Sequence, residues 1–277
     1  MPGGLLDLAR AIALEAGGLA ARRRAEGVEV AGTKSSVVDV VTAADREVEE
    51  LVRSRIADAR PEDAVLGEEG GGVAGTSGLT WVVDPIDGTV NYLYGIPQYA
   101  VSIAVVEGDP DPATWTALAG VVFAPRTGEL FLAATGGGAA MSTADGADRP
   151  VAVGPSPPLA EALVGTGVGY DAGERALQGA VVAGLLPRVR DVRRQGAASL
   201  DLCAVACGRL DAYFERGLAP WDHAAGALIA REAGAVVTGR DRGAPGRELV
   251  LAAAPGLAAE LRAVLDELGV TAWDLST

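Results

Sequence analysis

Trp81-Val82-Val83-Asp84-Pro85-Ile86-Asp87-Gly88-Thr89-Val90-Asn91-Tyr92 decides how the rest of the chain is read. Trp81 to Val83 are a short apolar, β-prone run closed by a breaker, which predicts the end of a buried strand. Asp84 and Asp87 follow, three apart around Pro85. Proline fixes its own φ and biases Asp84 towards an extended backbone, so the chain is expected to leave the strand in a stiff turn. Asp, Pro and Gly also suit an ordinary turn. Two carboxylates on a stiff turn can, however, aim at one point, where their charges repel unless a cation sits between them. Hard oxygen ligands favour Mg²⁺, with Mn²⁺ possible. Gly88 and Thr89 come where a short helix could begin, and free N–H groups at a helix start bind phosphate. The stretch therefore points to metal-assisted phosphate chemistry.

Composition narrows the classes. The chain has 277 residues, 49% of them hydrophobic, enough for one large domain or two closely packed halves. A net charge of −14 with no long basic patch argues against nucleic acid and anionic membrane as partners. It does not oppose a phosphate substrate, because bound cations reverse the local field. Cys203 and Cys207 are the only cysteines and stand four apart in a helical pattern, which suits small core residues in a reducing compartment. Met1-Pro2-Gly3-Gly4 lacks the basic start of a signal peptide and no apolar run is long enough to span a bilayer, so a cytoplasmic location is expected. His223 is the only histidine. A His-rich metal site is excluded, and carboxylates have to carry the chemistry.

Leu5, Leu8, Ala9, Ile12 and Ala13 predict an opening amphipathic helix that ends near Arg22-Arg23-Arg24. Lys34 is the only lysine in an otherwise Arg-based chain, which hints at a need for a compact ammonium charge behind the site. Thr42 and Asp45 fit a capping box ahead of a second helix with Val48, Leu51, Val52 and Ile56 inward. Ala64-Val65-Leu66 reads as a strand, followed by Glu68, Glu69 and a glycine run expected to be a mobile loop. Strands over 99–106, 117–123 and 129–133 suggest an antiparallel sheet. Pro155 to Pro158 is the expected boundary between an N-terminal half, 1–154, and a C-terminal half, 155–277, in which strands and helices alternate. There, strands are expected over 163–166, 211–215 and 249–253. Helices are expected over 176–186, from Ser199 with Leu200, Cys203, Cys207 and Leu210 on one face, from Pro220, and over 257–268. Asp222 is expected as the cap of the helix from Pro220.

Asp84-Pro85-Ile86-Asp87-Gly88-Thr89, with Asn91 after it, resembles the signature of the inositol monophosphatase family, within the lithium-sensitive, metal-dependent sugar phosphatases. Gly67-Glu68-Glu69, Gly196-Ala197-Ala198, Ala212-Tyr213-Phe214-Glu215 and Trp221-Asp222 also occur in the family's order. The resemblance covers most of the chain. It implies an αβαβα sandwich, an α/β fold of the inositol monophosphatase and fructose-1,6-bisphosphatase type, usually a homodimer. It implies roughly two or three Mg²⁺ per site, held by Glu68, Asp84, the Ile86 carbonyl, Asp87 and Asp222. Catalytic roles fall to Asp45, Thr89 and Glu68, with Asp45 holding the threonine that orients the attacking water. Substrate contacts fall to Asp87, Gly88, Thr89, Ala198, Glu215 and Asp222, with Glu215 accepting a hydrogen bond from the alcohol.

The expected activity is hydrolysis of a small phosphorylated polyol, myo-inositol 1-phosphate first. Histidinol-phosphate phosphatase and fructose-1,6-bisphosphatase are the alternatives within the superfamily, and a non-catalytic interaction protein retaining the fold is the alternative outside it. The run from Asn91 to Pro97 looks more like bacterial inositol monophosphatases. Ala197, where Ser or Thr is frequent, and Tyr92, where Phe is frequent, depart from the commonest pattern.

Overall fold

The computed structural model describes residues 2–28, 30–33, 40–143 and 146–275. Lys34 lies outside the described residues, as does the run from Val37 to Asp39.

In chain order, helix α1 (Pro2–Glu26) precedes a two-stranded ribbon, β1 (Val30–Thr33) and β2 (Val40–Thr42), and helix α2 (Ala43–Ala59). An eight-stranded sheet follows: β3 (Ala64–Gly67), β4 (Gly71–Val73), β5 (Leu79–Asp87), β6 (Ala100–Glu107), β7 (Thr116–Ala124), β8 (Glu129–Ala134), β9 (Ala139–Ser142) and β10 (Asp148–Val151). The short α3 (Thr89–Tyr94) sits between β5 and β6. The second sheet has strand order β12-β11-β13-β15-β14, built from β11 (Leu163–Thr166), β12 (Asp191–Arg193), β13 (Ala212–Glu215), β14 (Val236–Thr238) and β15 (Val250–Ala253). Its helices are α4 (Ala172–Leu185), α5 (Ala198–Ala206), α6 (Pro220–Glu232) and α7 (Pro255–Glu267).

The layers follow from the two-residue period of the strands. Trp81 and Val83 on β5 point to one face, with Val101, Ile103 and Val121, and meet Ile12 of α1 and Val52 of α2. Val82, Ala104 and Val122 point to the other face and meet Leu202 of α5, Ile229 of α6 and Tyr213 and Val250 of the second sheet. Val164, Phe214 and Leu251 then face Leu185 of α4 and Leu261 of α7. The stack is αβαβα. α5 and α6 form its middle layer, so residues on both sides of position 154 share one apolar cluster.

Several expectations change. β5 does not end at Asp84 but continues through Asp87, and its pairing with β6 slips between Asp84↔Ser102 and Asp87↔Ala100. Pro85 and Ile86 thus oppose Val101 alone, which is a bulge, and a bulge accommodates the missing N–H of Pro85. The first sheet is not wholly antiparallel, because β3 pairs with β5 in parallel. The glycine run after Glu69 is structured: Gly71–Val73 is a strand paired antiparallel with β3. Leu210 lies past the end of α5, and β14 is an edge strand too short to carry a period of its own.

Candidate active site

The bulge of β5 is the floor of the site. Asp84 is 1% exposed, and its Oδ1 accepts the Ile86 N–H at 3.0 Å, a local turn that fixes the carboxylate beside the bulge. Asp87, also buried, points to the N-terminus of α5. Its Oδ1 accepts the Ala198 N–H at 3.2 Å, and its Oδ2 accepts the Ser199 N–H at 2.8 Å and the Ser199 hydroxyl at 2.5 Å. The start of α5 therefore serves first to hold Asp87, using the N–H groups a helix cannot satisfy internally.

Gly88 follows with φ +90°, and a Cβ there would stand 2.9 Å from the Gln98 carbonyl oxygen and 3.1 Å from that of Gly196. Only glycine fits, and the reversal turns Thr89 back over the bulge. The Thr89 hydroxyl lies 3.2 Å from Asp45 Oδ1 and 3.1 Å from the Ile86 carbonyl oxygen, and donates its one proton between them. Asp45 is fixed by the predicted capping box: Oδ2 accepts the Thr42 N–H at 2.8 Å and the Thr42 hydroxyl at 2.5 Å. Capping and the Thr89 contact use different oxygens of one carboxylate, so the two readings of Asp45 coexist.

Glu68 occupies the turn between β3 and β4, with its N–H donated to Val83 O at 3.3 Å. That turn is held from below by Glu49 of α2, which accepts the N–H groups of Glu69 (2.8 Å) and Gly70 (2.7 Å) and pairs with Arg53 (2.7 Å). Asp222 is the third residue of α6 rather than its cap, and its Oδ2 accepts the Ala219 N–H at 2.7 Å. Glu215, at the end of β13, accepts the Tyr213 hydroxyl at 2.5 Å. Gly167 makes room for it, because a Cβ at Gly167 would lie 1.8 Å from Glu215 Oε2.

Electrostatics tie the acids together. Burial, then the charges of Glu68, Asp87 and Asp222, raise the Asp84 pKa well above the carboxylate range, and a hydrogen bond with Glu68 adds to this. Burial and Glu68 do the same to Asp222. Burial carries Asp87 up to about 6 against the opposing hydrogen bonds from Ser199 and Ala198. It carries Asp45 to about 6 and Glu215 to about 7. Among the described residues no three His, Cys, Asp or Glu side chains form a ready-made metal cage. The donor set still fits a hard divalent cation. It is all oxygen, and its mutual repulsion is relieved by a hydrogen bond between two carboxyl groups, Glu68 and Asp84, where a cation would relieve it better.

Residues 4–274 match the inositol monophosphatase family. The chain belongs to that family. It is 46% identical to the inositol-1-monophosphatase SuhB of Mycobacterium tuberculosis over 279 residues, covering 95% of this chain and 94% of that protein. It is 42% identical to a Nus factor SuhB of Xylella fastidiosa over 206 residues, covering 74% and 70%. The solved structure of Mycobacterium tuberculosis SuhB superimposes with a TM-score of 0.82 at 44% identity, covering 98% of each chain.

In this family member the fold brings Asp45, Thr89, Asp84 and Asp87 together around one bulge, with Glu68 hydrogen-bonded to Asp84 and Asp222 within electrostatic reach of it. Sequence reasoning gave Ser199 and Glu49 no role in the site, and took Asn91 only as part of the signature. Asn91 Nδ2 donates to the carbonyl oxygens of Gln98 (2.7 Å) and Gln195 (2.8 Å), tying α3 to the segment before α5. The Glu49–Arg53 spacing of four was a visible signal, but it reads equally well as a surface pair. Tyr92 explains its own departure from Phe: its hydroxyl donates to Ala20 O of α1 at 2.9 Å.

Proposed function

We propose that the chain is a metal-dependent phosphoric monoester hydrolase whose first substrate is myo-inositol 1-phosphate, working in the cytoplasm as a lithium-sensitive homodimer. The observation that carries the reading is the Asp45–Thr89 contact beside the bulge. A structural cap needs only one oxygen of Asp45, and the second is turned onto Thr89 in the cleft.

Glu68, Asp84, the Ile86 carbonyl, Asp87 and Asp222 would hold two or three Mg²⁺, or Mn²⁺ in their place. When bound, such ions offset the carboxylate charge, polarise the phosphoryl group and lower the pKa of water. The remaining work belongs to this chain's side chains. Asp45 accepts the Thr89 hydroxyl proton, which leaves a Thr89 lone pair free to accept from the attacking water and turn its oxygen towards phosphorus. The water oxygen bonds to phosphorus and gives up one of its two protons, the ester P–O bond breaks, and the released alcohol oxygen takes up one proton, so the water's lost proton balances the one the alcohol gains. Gly88, Thr89 and Ala198 line the phosphate side, while Asp222 and Glu215 face the alcohol, Glu215 accepting one of its hydroxyl protons. Residues 1–154 supply Asp45, Glu68 and the bulge, and residues 155–277 supply Ala198, Glu215 and Asp222, which makes the cleft a joint product of the two halves.

The name of the Xylella relative, a Nus factor, keeps a binding role in view. Initial-rate phosphate release in Mg²⁺ from myo-inositol 1-phosphate, histidinol phosphate and fructose 1,6-bisphosphate tests the proposal. The inositol ester is expected to have the highest kcat/KM, and no turnover of any of the three overturns the enzyme reading.

A further inference from the structure

The turn that leads into α5 carries a cation with no part in the chemistry of the bulge. Gly196 has φ +88°, and a Cβ there would stand 2.6 Å from Arg194 Nη1 and 3.0 Å from Asn91 Nδ2. The guanidinium therefore folds back across Gly196, through space that a side chain at this position would occupy. The turn is pinned from two sides. Asn91 Nδ2 donates to the Gln195 carbonyl oxygen at 2.8 Å, and Gln195 Nε2 donates at 2.8 Å to Oδ1 of Asp201, a buried acid on α5.

Arg194 behaves unlike the arginine before it. Arg193 pairs with Asp191 at 2.6 Å and lines a cavity of about 220 Å³ with Gln98 and Arg209. Arg194 is exposed and has no hydrogen-bond or ion-pair partner among the described residues. Its charge is felt in the cleft instead. Burial raises the pKa of Asp87, Asp201 and Glu215, and the Arg194 charge works against burial at all three. Arg194 and Glu215 nonetheless do not pair. Glu215 is held by the Tyr213 hydroxyl, and Arg194 springs from the pinned turn, so a gap remains between a fixed acceptor and a free fork of donors.

A carboxylate only accepts hydrogen bonds, a guanidinium only donates them, and a hydroxyl does both. Two hydroxyls on neighbouring carbons match such a gap: one donates to Glu215 and the next accepts from Arg194. A second anionic group would be repelled by Glu215 and Asp201, and an apolar group would leave both sides unmatched. We propose that Arg194 is a substrate-binding residue which, opposite Glu215, reads a vicinal diol on the alcohol portion of the substrate. The inference rests on the reading of Glu215 as alcohol-facing and gives it a substrate class, phosphate esters of polyols with adjacent hydroxyls. Gln195 and Asp201 are positioning residues, because they set the turn that presents Arg194.

Initial rates at saturating Mg²⁺ with myo-inositol 1-phosphate and with cyclohexyl phosphate, the same ring without hydroxyls, test it in wild type and Arg194→Gln. The inositol ester should lose about tenfold more in kcat/KM than cyclohexyl phosphate, mainly through KM. Loss of a cation that merely attracts phosphate would lower both alike. Arg194→Lys, which keeps the charge but not the fork, should recover part of the preference. Saturation-transfer NMR with free myo-inositol, in Mg²⁺ and inorganic phosphate, reads the same contact without turnover: a signal in wild type, lost in Arg194→Gln. If wild type releases phosphate from neither ester, the hydrolase reading fails and the inositol signal alone decides the diol site. Equal losses for the two esters, no inositol signal from wild type, or a signal unchanged in Arg194→Gln overturns the proposal.

Discussion

Asp45→Asn separates the two jobs of one carboxylate. In the wild type, Oδ2 accepts two hydrogen bonds from Thr42 and Oδ1 accepts the Thr89 hydroxyl. An asparagine has one acceptor oxygen and one NH₂ group. If the oxygen stays with Thr42 the cap survives, and the NH₂ then faces Thr89. An NH₂ donates, so the Thr89 hydroxyl must accept from it and turn its own proton to the Ile86 carbonyl. The lone pair meant for water is consumed. Losing this positioning is expected to lower kcat by about 10²–10⁴-fold, which is roughly 3–5 kcal/mol of barrier. Stability should not fall in parallel. Burial raises the Asp45 pKa from 3.8 to about 6, so keeping it ionised at pH 7.5 costs on the order of 3 kcal/mol, a penalty that neutral Asn does not carry. A weakened cap takes back about 1 kcal/mol. The expected outcome is an unchanged or raised Tm in metal-free buffer together with a collapsed kcat. Single-turnover phosphate release and thermal melts, read on the same preparations, provide the assay. Thr89→Ala should lose a similar factor, and the double mutant should be little worse than the worse single one. A kcat within about threefold of wild type, or fully multiplicative losses in the double mutant, would refute the shared role and leave Asp45 as a cap.

Other outcomes follow from the same geometry. Glu215→Gln keeps the shape and the Tyr213 contact but loses the charge, so the kcat/KM ranking among inositol, glycerol and sugar phosphates should shift while Mg²⁺ affinity changes little; a preserved ranking assigns Glu215 another task. Gly167→Ala forces a methyl to within 1.8 Å of Glu215 Oε2 and should raise KM for the polyol with much less effect on hydrolysis of a simple aryl phosphate; equal effects on both would mean the strain spreads beyond Glu215. Without metal, the raised pKa values of Asp45, Asp87 and Glu215 make the native state hold protons that the unfolded chain has released. Stability should therefore fall as pH rises from about 4 to about 7. His223, lowered from 6.5 to about 4, acts with the opposite sign and removes stability as pH falls through that window. Melts in EDTA should thus weaken between pH 5.5 and 7.5, and Mg²⁺ should restore more at the higher pH; a Mg²⁺ shift independent of pH contradicts the carboxylate account.

Much of this was legible because the signature residues do local work. Asp84, Asp87, Gly88 and Thr89 lie within six residues, and Thr42 reads forward three residues to Asp45, so spacing exposed the carboxylate turn and the cap, while the role of Asp45 beside Thr89 came from the family resemblance. What escaped depends on contacts across the chain. Ser199 matters because Asp87, more than a hundred residues earlier, needs a partner. Gly167 matters because Glu215 needs its space. The bulge was misread as a strand end because Asp-Pro suggests a turn, while the pairing of β6 on the other side, invisible to local pattern, carries β5 onward. The parallel pairing of β3 with β5 was hidden for the same reason: an interval short enough for a hairpin is instead filled by the β4 excursion. The three apolar clusters, in contrast, follow the two-residue and helical periods closely, because layers bury faces and faces are written in those periods.

The central claim is that the carboxylates around the β5 bulge hold a divalent cation for phosphate ester hydrolysis. Its most direct test is initial-rate phosphate release from myo-inositol 1-phosphate by wild type and Asp84→Asn, in EDTA and across a Mg²⁺ titration. Asp84 accepts the Ile86 N–H and shares a hydrogen bond with Glu68, so the amide preserves the turn while removing a charge. The expected result is saturable Mg²⁺-dependent release by wild type, none in EDTA, and loss of most activity in Asp84→Asn with an unchanged fold by circular dichroism. Undiminished release in EDTA, or near-wild-type turnover by Asp84→Asn at saturating Mg²⁺, would contradict it.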